Sequence, residues 1–75
     1  MQKHHFMARL QRLQRVVAEG QARVDALTAN PAQDRTTKRL RTMATRALDE
    51  NRASLMSLIE RHGAKFGYKD EGDGP

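Results

Sequence analysis

The residues best suited to binding chemistry are nine of the lysines and arginines in the first two thirds of the sequence. In helical geometry the arginines of the first stretch fall within roughly 120° of arc, with Glu19 as their only acidic neighbour. These are Arg9, Arg12, Arg15 and Arg23. The second stretch comprises Arg35, Lys38, Arg39, Arg41 and Arg46. A guanidinium presents several N–H donors in a plane that matches phosphate and carboxylate, so both stretches predict an anionic partner.

The charge of the chain is unevenly distributed along the sequence. Residues 1–47 carry ten lysines and arginines against three acids, residues 48–75 carry four against six, and the net charge is +5. A basic body favours nucleic acid as the partner, because phosphate neutralisation dominates such affinity. The alternative is an adaptor, assembly factor or inhibitor, of phage or plasmid type, that docks on an acidic protein surface. A third interpretation is that the charges only keep the chain in solution.

The composition narrows the kinds of nucleic acid that such a surface would bind. Only three aromatic residues are available to stack on unpaired bases, which disfavours a platform for single strands. Long helices joined by a tight reversal also differ from the short helix–turn–helix unit that reads operators. The pattern instead predicts binding of structured RNA or duplex DNA through backbone phosphates, by a small regulatory or accessory protein.

Residues that could support catalysis or bind a metal do not form a recognisable set. The hydroxyl and carboxyl side chains of the second half include Asp49, Glu50, Ser54, Ser57 and Glu60. Their spacing is not typical of a nucleophile with its base, and there is no phosphate-binding glycine loop. His4 and His5 point about 100° apart on a helix, unlike the i, i+4 pair of a helical zinc site. The sequence therefore predicts a non-enzymatic protein without metal, cofactor or small-molecule substrate.

The elements that must position these side chains are two helices. In the first, predicted over residues 3–28, apolar residues recur at a and d positions of a heptad pattern from Phe6 to Leu27. Gly20 interrupts this stripe, and a glycine in a helix interior costs about 1 kcal/mol relative to alanine. Its position indicates either the close approach of a neighbouring backbone or a tolerated weak point.

A reversal follows, and the second helix is predicted over residues 31–62. Asn30 has the type of an N-cap, Pro31 suits the first helical position, and Gly63 suits the left-handed residue after the helix end. The short connection favours antiparallel neighbours, so the predicted fold class is all-α, an antiparallel helical hairpin. Such a hairpin would set Arg15 roughly across from Arg46.

The apolar face of the second helix is wider than one neighbouring helix can cover, since Met56 and Leu58 lie roughly 160° apart on it. Two hairpins packed as a four-helix bundle would close the core, so we predict a homodimer. A stable monomer and assembly with a different protein are the alternatives. The predicted dimer core comprises Leu10, Leu13, Val17, Leu48, Asn51, Leu55 and Ile59. Asn51 either fixes the register through an Asn–Asn pair or lies wetted at the edge of the stripe.

Residues 64–75 contain several glycines and an acidic run, which is typical of a flexible tail. Phe66 and Tyr68 within it either fold back onto the end of the helices or are presented to a partner. The absence of cysteine favours a reducing compartment, and no apolar run approaches the roughly 18 residues of a membrane span. We therefore expect a soluble, cytoplasmic protein that does not enter membranes.

Overall fold

Two long helices make up most of the chain in a computed structural model that describes residues 1–68. Helix α1 spans Lys3–Ala29 and helix α2 spans Arg35–Leu58. A π-helical turn, Ile59–Gly63, and a 3₁₀ turn, Ala64–Phe66, continue α2. The predicted all-α class is confirmed.

The two helices approach each other closely where α1 has its internal glycine. A Cβ atom placed on Gly20 would lie 3.2 Å from Leu48 Cδ1 and 3.9 Å from Leu48 Cα. Gly20 therefore permits the close approach that was one of its two predicted roles. Because Gly20 faces Leu48, Arg15 lies about two helical turns away from Arg46 along the helix axis. The prediction that Arg15 lies roughly across from Arg46 was therefore wrong.

The core lies at the end of the helices farther from their connection. Its buried centre consists of Phe6, Leu10 and Leu58, and the side chains packed around this centre are Leu13, Leu55, Ile59, Phe66 and Tyr68. The Phe6 ring centroid is 5.1 Å from that of Phe66 and 6.2 Å from that of Tyr68. Phe66 and Tyr68 therefore fold back onto the helices instead of belonging to a flexible tail. The remainder of the predicted acidic tail, residues 69–75, lies outside the described residues.

The helical segment ends in a Schellman motif, in which two N–H groups beyond the helix end donate back to its last carbonyl groups. Gly67 has the left-handed φ of 74°. The N–H of Gly67 donates to the Ala64 carbonyl at 3.3 Å, and the N–H of Tyr68 donates to the Gly63 carbonyl at 2.8 Å. The prediction that Gly63 is the left-handed residue was wrong, since its φ is −58°. The chain remains helical beyond Gly63, and the turn at Gly67 brings Tyr68 onto Phe6.

Helix α2 begins at Arg35 and not at Pro31 as predicted, because Asp34 is its N-cap. One carboxylate oxygen of Asp34 accepts a hydrogen bond from the backbone N–H of Thr37 at 2.8 Å. Asp34 thereby satisfies one of the N–H groups that the first turn of a helix leaves without a backbone partner. Thr37 is buried beside this cap, with 8% of its surface exposed.

The connection over residues 30–34 is held together by amide side chains. The Asn30 side-chain oxygen accepts a hydrogen bond from the backbone N–H of Ala32 at 2.9 Å, which makes a local turn and not a helix cap. The Gln33 amide donates to the backbone carbonyl groups of Leu27 and Asn30. The carbonyl oxygen of Gln33's own side chain accepts from Arg41 at 3.2 Å. Gln33 therefore links the end of α1 to α2.

Acid should weaken the cap of α2. Hydrogen bonds from the Thr37 backbone N–H and then from the Thr37 side chain lower the pKa of Asp34 below its ordinary value of 3.8. A pKa that is lowered on folding gives a stabilisation that is complete above about pH 4 and is lost as the pH falls through the folded-state pKa. We expect Asp34→Ala to lower the thermal midpoint at neutral pH, and Asp34→Asn, which keeps the acceptor without the charge, to lower it less.

Melts followed by circular dichroism between neutral and acidic pH check this prediction. The midpoint of the wild type should exceed that of Asp34→Asn at neutral pH, and the difference should shrink in acid. A difference of the same size at both pH values would contradict it.

Candidate nucleic-acid interface

Most of the predicted basic residues are exposed on the two helices. They are Arg9, Arg12, Arg15 and Arg23 on α1, and Arg35, Lys38, Arg39 and Arg46 on α2. Arg41 differs, because it is half-buried and its guanidinium donates to Gln33 in the connection. Its role in the structure is to hold the connection, so we exclude it from the candidate interface.

Two shallow depressions of the surface each bring together a pair of exposed arginines. Arg9 and Arg12 line one shallow depression on α1. Arg35 and Arg39 line another on the first turns of α2. Each pair could contact a phosphate of one partner molecule, since guanidinium groups bind phosphate through parallel N–H donors.

Arg46 has a different electrostatic setting from these pairs. It lines a depression of α2 together with Asp49 and Glu50, whose carboxylates offset its charge. Arg46 is therefore the weakest of the exposed candidates for binding an anion. Asp49 and Glu50 follow Arg46 at i+3 and i+4, so helical spacing was a signal for these acidic neighbours.

In the part of the chain that the structure describes, acidic side chains do not accept hydrogen bonds from the exposed arginines. Within residues 1–68, the guanidinium hydrogen bonds end on glutamine side chains, from Arg41 to Gln33 and from Arg52 to Gln21. The side-chain carboxylate of Asp25 accepts from the Gln21 amide at 2.8 Å. The arginine pairs therefore remain available to an external anion.

An open apolar groove of about 490 Å³ lies between the helices, beside the contact of Gly20 with Leu48. We call it the interhelix groove, and it is lined by Val16, Glu19, Gly20, Arg23, Leu40, Met43, Ala44, Ala47, Leu48 and Asn51. Leu40 is 41% exposed and Met43 is 60% exposed. These two side chains give the groove an exposed apolar margin.

The residues predicted as a dimer core are used largely within the single chain. Leu10 is 2% exposed and Leu48 is 3% exposed, both covered by the chain itself. The half-buried members of the set are Leu13, Val17, Asn51, Leu55 and Ile59. Only Leu48 and Asn51 of the predicted set line the interhelix groove. The apolar surface that the single chain leaves exposed is therefore a different face of α2, centred on Leu40 and Met43.

Sequence reasoning missed a second basic depression, of about 330 Å³, near the core end of the helices. We call it the serine–arginine pocket, because its polar lining consists of Arg9, Ser54, Ser57, Arg61 and His62. A signal for it was present in the sequence. Ser54, Ser57 and Arg61 have the i, i+3, i+7 spacing of residues on one helical face.

Comparison with known proteins provides no identification. No protein-family model, no curated protein and no solved structure matches this chain. In the part of the chain that the structure describes, no three His, Asp or Glu side chains cluster closely enough to hold a metal ion. Neither helix, over the same residues, is apolar enough along its length to cross a bilayer. Function must therefore be argued from the exposed surfaces.

Proposed function

We propose that this protein is a non-enzymatic regulatory or accessory factor that binds structured RNA or duplex DNA through exposed arginines. The observation that supports this best is the exposure of arginines on both helices. Within the described residues the guanidinium hydrogen bonds go to glutamines, which supports a role of the exposed arginines in binding a partner. In this proposal the cytoplasm is the compartment, since the chain has no cysteine.

The contacts between the helices support an antiparallel hairpin as the framework of this surface. The Gln33 side chain reaches the Leu27 carbonyl at 3.2 Å, Gly20 faces Leu48, and the Phe6 ring meets that of Phe66. Earlier positions in α1 thus meet later positions in the second half of the chain.

A helix of this kind is a rigid support for charges that bind a phosphate backbone. Arg9 and Arg23 lie roughly 20 Å apart along the axis of α1, at about 1.5 Å per residue. That length is enough for contacts with several phosphates on one side of a duplex. Phosphate contacts fix the position of a protein on nucleic acid without reading its sequence. The proposed binding is therefore governed by charge and shape.

Salt dependence tests the proposal directly. Fluorescence anisotropy with an RNA duplex and a DNA duplex of the same sequence would measure affinity over a range of NaCl concentrations. We expect the logarithm of the association constant to fall linearly with the logarithm of salt, with a slope of about −0.9 for each phosphate contacted. Failure to bind either duplex at low salt would reject the proposal. Purification of a nuclease-resistant complex with a protein partner would also count against it as the primary role.

The dimensions of the described chain support the pairing of two hairpins. Its extents are 47 × 28 × 14 Å. The smallest of these is close to the diameter of a single helix, about 10–12 Å. The chain is thus one layer thick, whereas stable domains normally consist of at least two packed layers. In our proposal a second copy covers the interhelix groove and completes a four-helix bundle, with Asn51 near the centre of the shared surface.

Two methionines provide a matched test of this dimer. Met43 lies in the interhelix groove, Met56 does not, and their exposed fractions are 60% and 61%. We expect Met43→Lys to dissociate the dimer, because a buried unpaired charge is costly, and Met56→Lys to leave it intact. Sedimentation velocity at micromolar concentration measures both variants. A wild type that sediments as a folded monomer, or variants that behave alike, would refute the dimer.

Docking on an acidic protein is the second candidate, and the interhelix groove is the observation that favours it. Arg23 lines the groove, and Arg35 and Arg39 line the adjoining depression, which shares Leu40 and Met43 with it. Glu19 also lines the groove, so its charged margin is mixed on α1 and basic on α2. An amphipathic helix with an acidic edge toward Arg35 and Arg39 would fit such a groove. Affinity for such a helix should depend less steeply on salt than affinity for a duplex, and it should be lost in Met43→Lys.

A further inference from the structure

The serine–arginine pocket collects hydrogen-bond donors from three separate elements. Helix α1 supplies Arg9, helix α2 supplies Ser54 and Ser57, and the π-helical turn supplies Arg61 and His62. Arg9 is far in sequence from the other four residues, so the complete pocket exists only in the folded chain. Convergence of polar groups on one concave surface is typical of a site that binds a small polar ligand.

The pocket's lining contains no carboxylate, which distinguishes it from a comparable depression on α2. The depression at Arg41 and Arg46 also has two arginines and two hydroxyl side chains, but Asp49 and Glu50 line it as well. An anion bound there would meet two like charges, whereas an anion in the serine–arginine pocket would meet guanidinium, hydroxyl and imidazole groups. The lining therefore favours an anion in the serine–arginine pocket and disfavours one in the depression at Arg41 and Arg46.

The backbone that carries Arg61 and His62 is fixed by the core. Ile59, the first residue of the π-helical turn, packs against the core cluster. The carbonyl of Gly63, the last residue of that turn, accepts the Tyr68 N–H. Leu58, which also lines the pocket, is 6% exposed. A π-helical turn within a helix often marks a functional position, and here both ends of the turn are held in place.

We infer that the serine–arginine pocket binds a phosphoryl group. Arginine matches phosphate oxygens with parallel N–H donors, and each serine hydroxyl adds one more donor. The phosphoryl group is carried either by the end of a nucleic-acid strand or by free phosphate. The first carrier deepens the proposed function and rests on it, whereas the second is independent of it.

Inorganic phosphate is the first probe. Two-dimensional ¹H–¹⁵N NMR spectra of the full chain would be recorded while phosphate replaces chloride at constant ionic strength. We expect saturable shifts of the pocket amides, and about tenfold weaker phosphate binding in Arg61→Gln, because a charged hydrogen bond is removed. The control is Arg46→Gln, the same substitution at the depression with two carboxylates, which should leave phosphate binding unchanged. Non-saturable shifts, or equal effects of the two substitutions, would overturn the inference.

Nucleic acid with different ends separates the two carriers. A duplex with a 5′-phosphate should bind more tightly than the same duplex with a 5′-hydroxyl, and Arg61→Gln should remove only that difference. Equal binding of the two duplexes would overturn the strand end as the carrier and leave free phosphate. Phosphate binding without duplex binding would uphold the pocket and reject the proposed function. Duplex binding without phosphate-induced shifts of the pocket amides would uphold the proposed function and reject the pocket.

Discussion

Replacing Phe6 with alanine is expected to remove a large part of the chain's free energy of unfolding at 25 °C. Phe6 is fully buried, with 0% of its surface exposed, and its ring meets those of Phe66 and Tyr68. Truncation of a buried phenylalanine costs about 3–5 kcal/mol. A chain of this length has a total stability of roughly 4–11 kcal/mol, at about 0.05–0.15 kcal/mol per residue. The loss would therefore remove much of the stability, and it would also free Phe66 and Tyr68.

Urea unfolding followed by circular dichroism, at one fixed protein concentration, measures the effect. Met7→Ala is the control, because Met7 is the next residue of α1 and is 37% exposed. Substitution at such a surface position usually changes stability by less than about 0.5 kcal/mol. Equal losses for Phe6→Ala and Met7→Ala would show that the aromatic cluster is not the core.

Neutralising Arg9, Arg12 and Arg15 together is expected to weaken duplex binding strongly and to flatten its salt dependence. If each guanidinium contacts one phosphate, the Gln triple variant should lower the magnitude of the logarithmic salt slope by about 2.7. Affinity at low salt should fall most, because screening already weakens these contacts at high salt. The same duplex and anisotropy assay provide the measurement.

A second triple variant controls for net charge. Arg41 and Arg52 donate to Gln33 and Gln21, and the Lys65 ammonium lies 5.5 Å from the Phe66 ring centroid. Changing these three residues to Gln removes the same charge from positions already engaged within the chain. We expect a much smaller change in the salt slope. Equal salt slopes for the two triple variants would show that net charge, and not the specific positions of Arg9, Arg12 and Arg15, determines binding.

The sequence was most informative where one signal repeats many times. The heptad spacing from Phe6 to Leu27 predicts a helix, and the structure has α1 over Lys3–Ala29. The place of Gly20 in that stripe indicated a close approach, which Leu48 makes. In each case the information is local, because it concerns the periodicity of one helix.

Prediction failed where two nearby residues were both suited to the same role at a helix end. Asn30 and Asp34 are both good N-caps, and Gly63 and Gly67 are both good C-terminal glycines. In the structure Gln33 ties the connection back to α1, and Asp34 caps α2. Packing of Phe66 and Tyr68 against Phe6 accompanies the turn at Gly67. The aromatic contacts span distant parts of the chain, and the choice between two suitable caps depends on the geometry of the connection, so the periodicity of a helix predicts neither.

The candidate site was predicted only in part, because helical spacing gives the positions of side chains on a helix but not their contacts across the fold. Helical spacing found the exposed arginines, but not the contact of Arg41 with Gln33 in the connection. Spacing also does not reveal which apolar side chains a chain covers by itself. Leu10 and Leu48 have the pattern of an interface and are buried internally, whereas Leu40 and Met43 remain exposed.

The aromatic cluster also determines when this protein can fold during its synthesis. Phe66 and Tyr68, which cover Phe6, leave the ribosome about sixty residues after it, at roughly 5–20 residues per second. Helix α1 must therefore wait several seconds with its apolar face unprotected. Contacts between such distant positions also slow folding relative to helical proteins with local contacts. Nascent chains arrested before Tyr68 should consequently be sensitive to proteases and should become resistant once that residue is released.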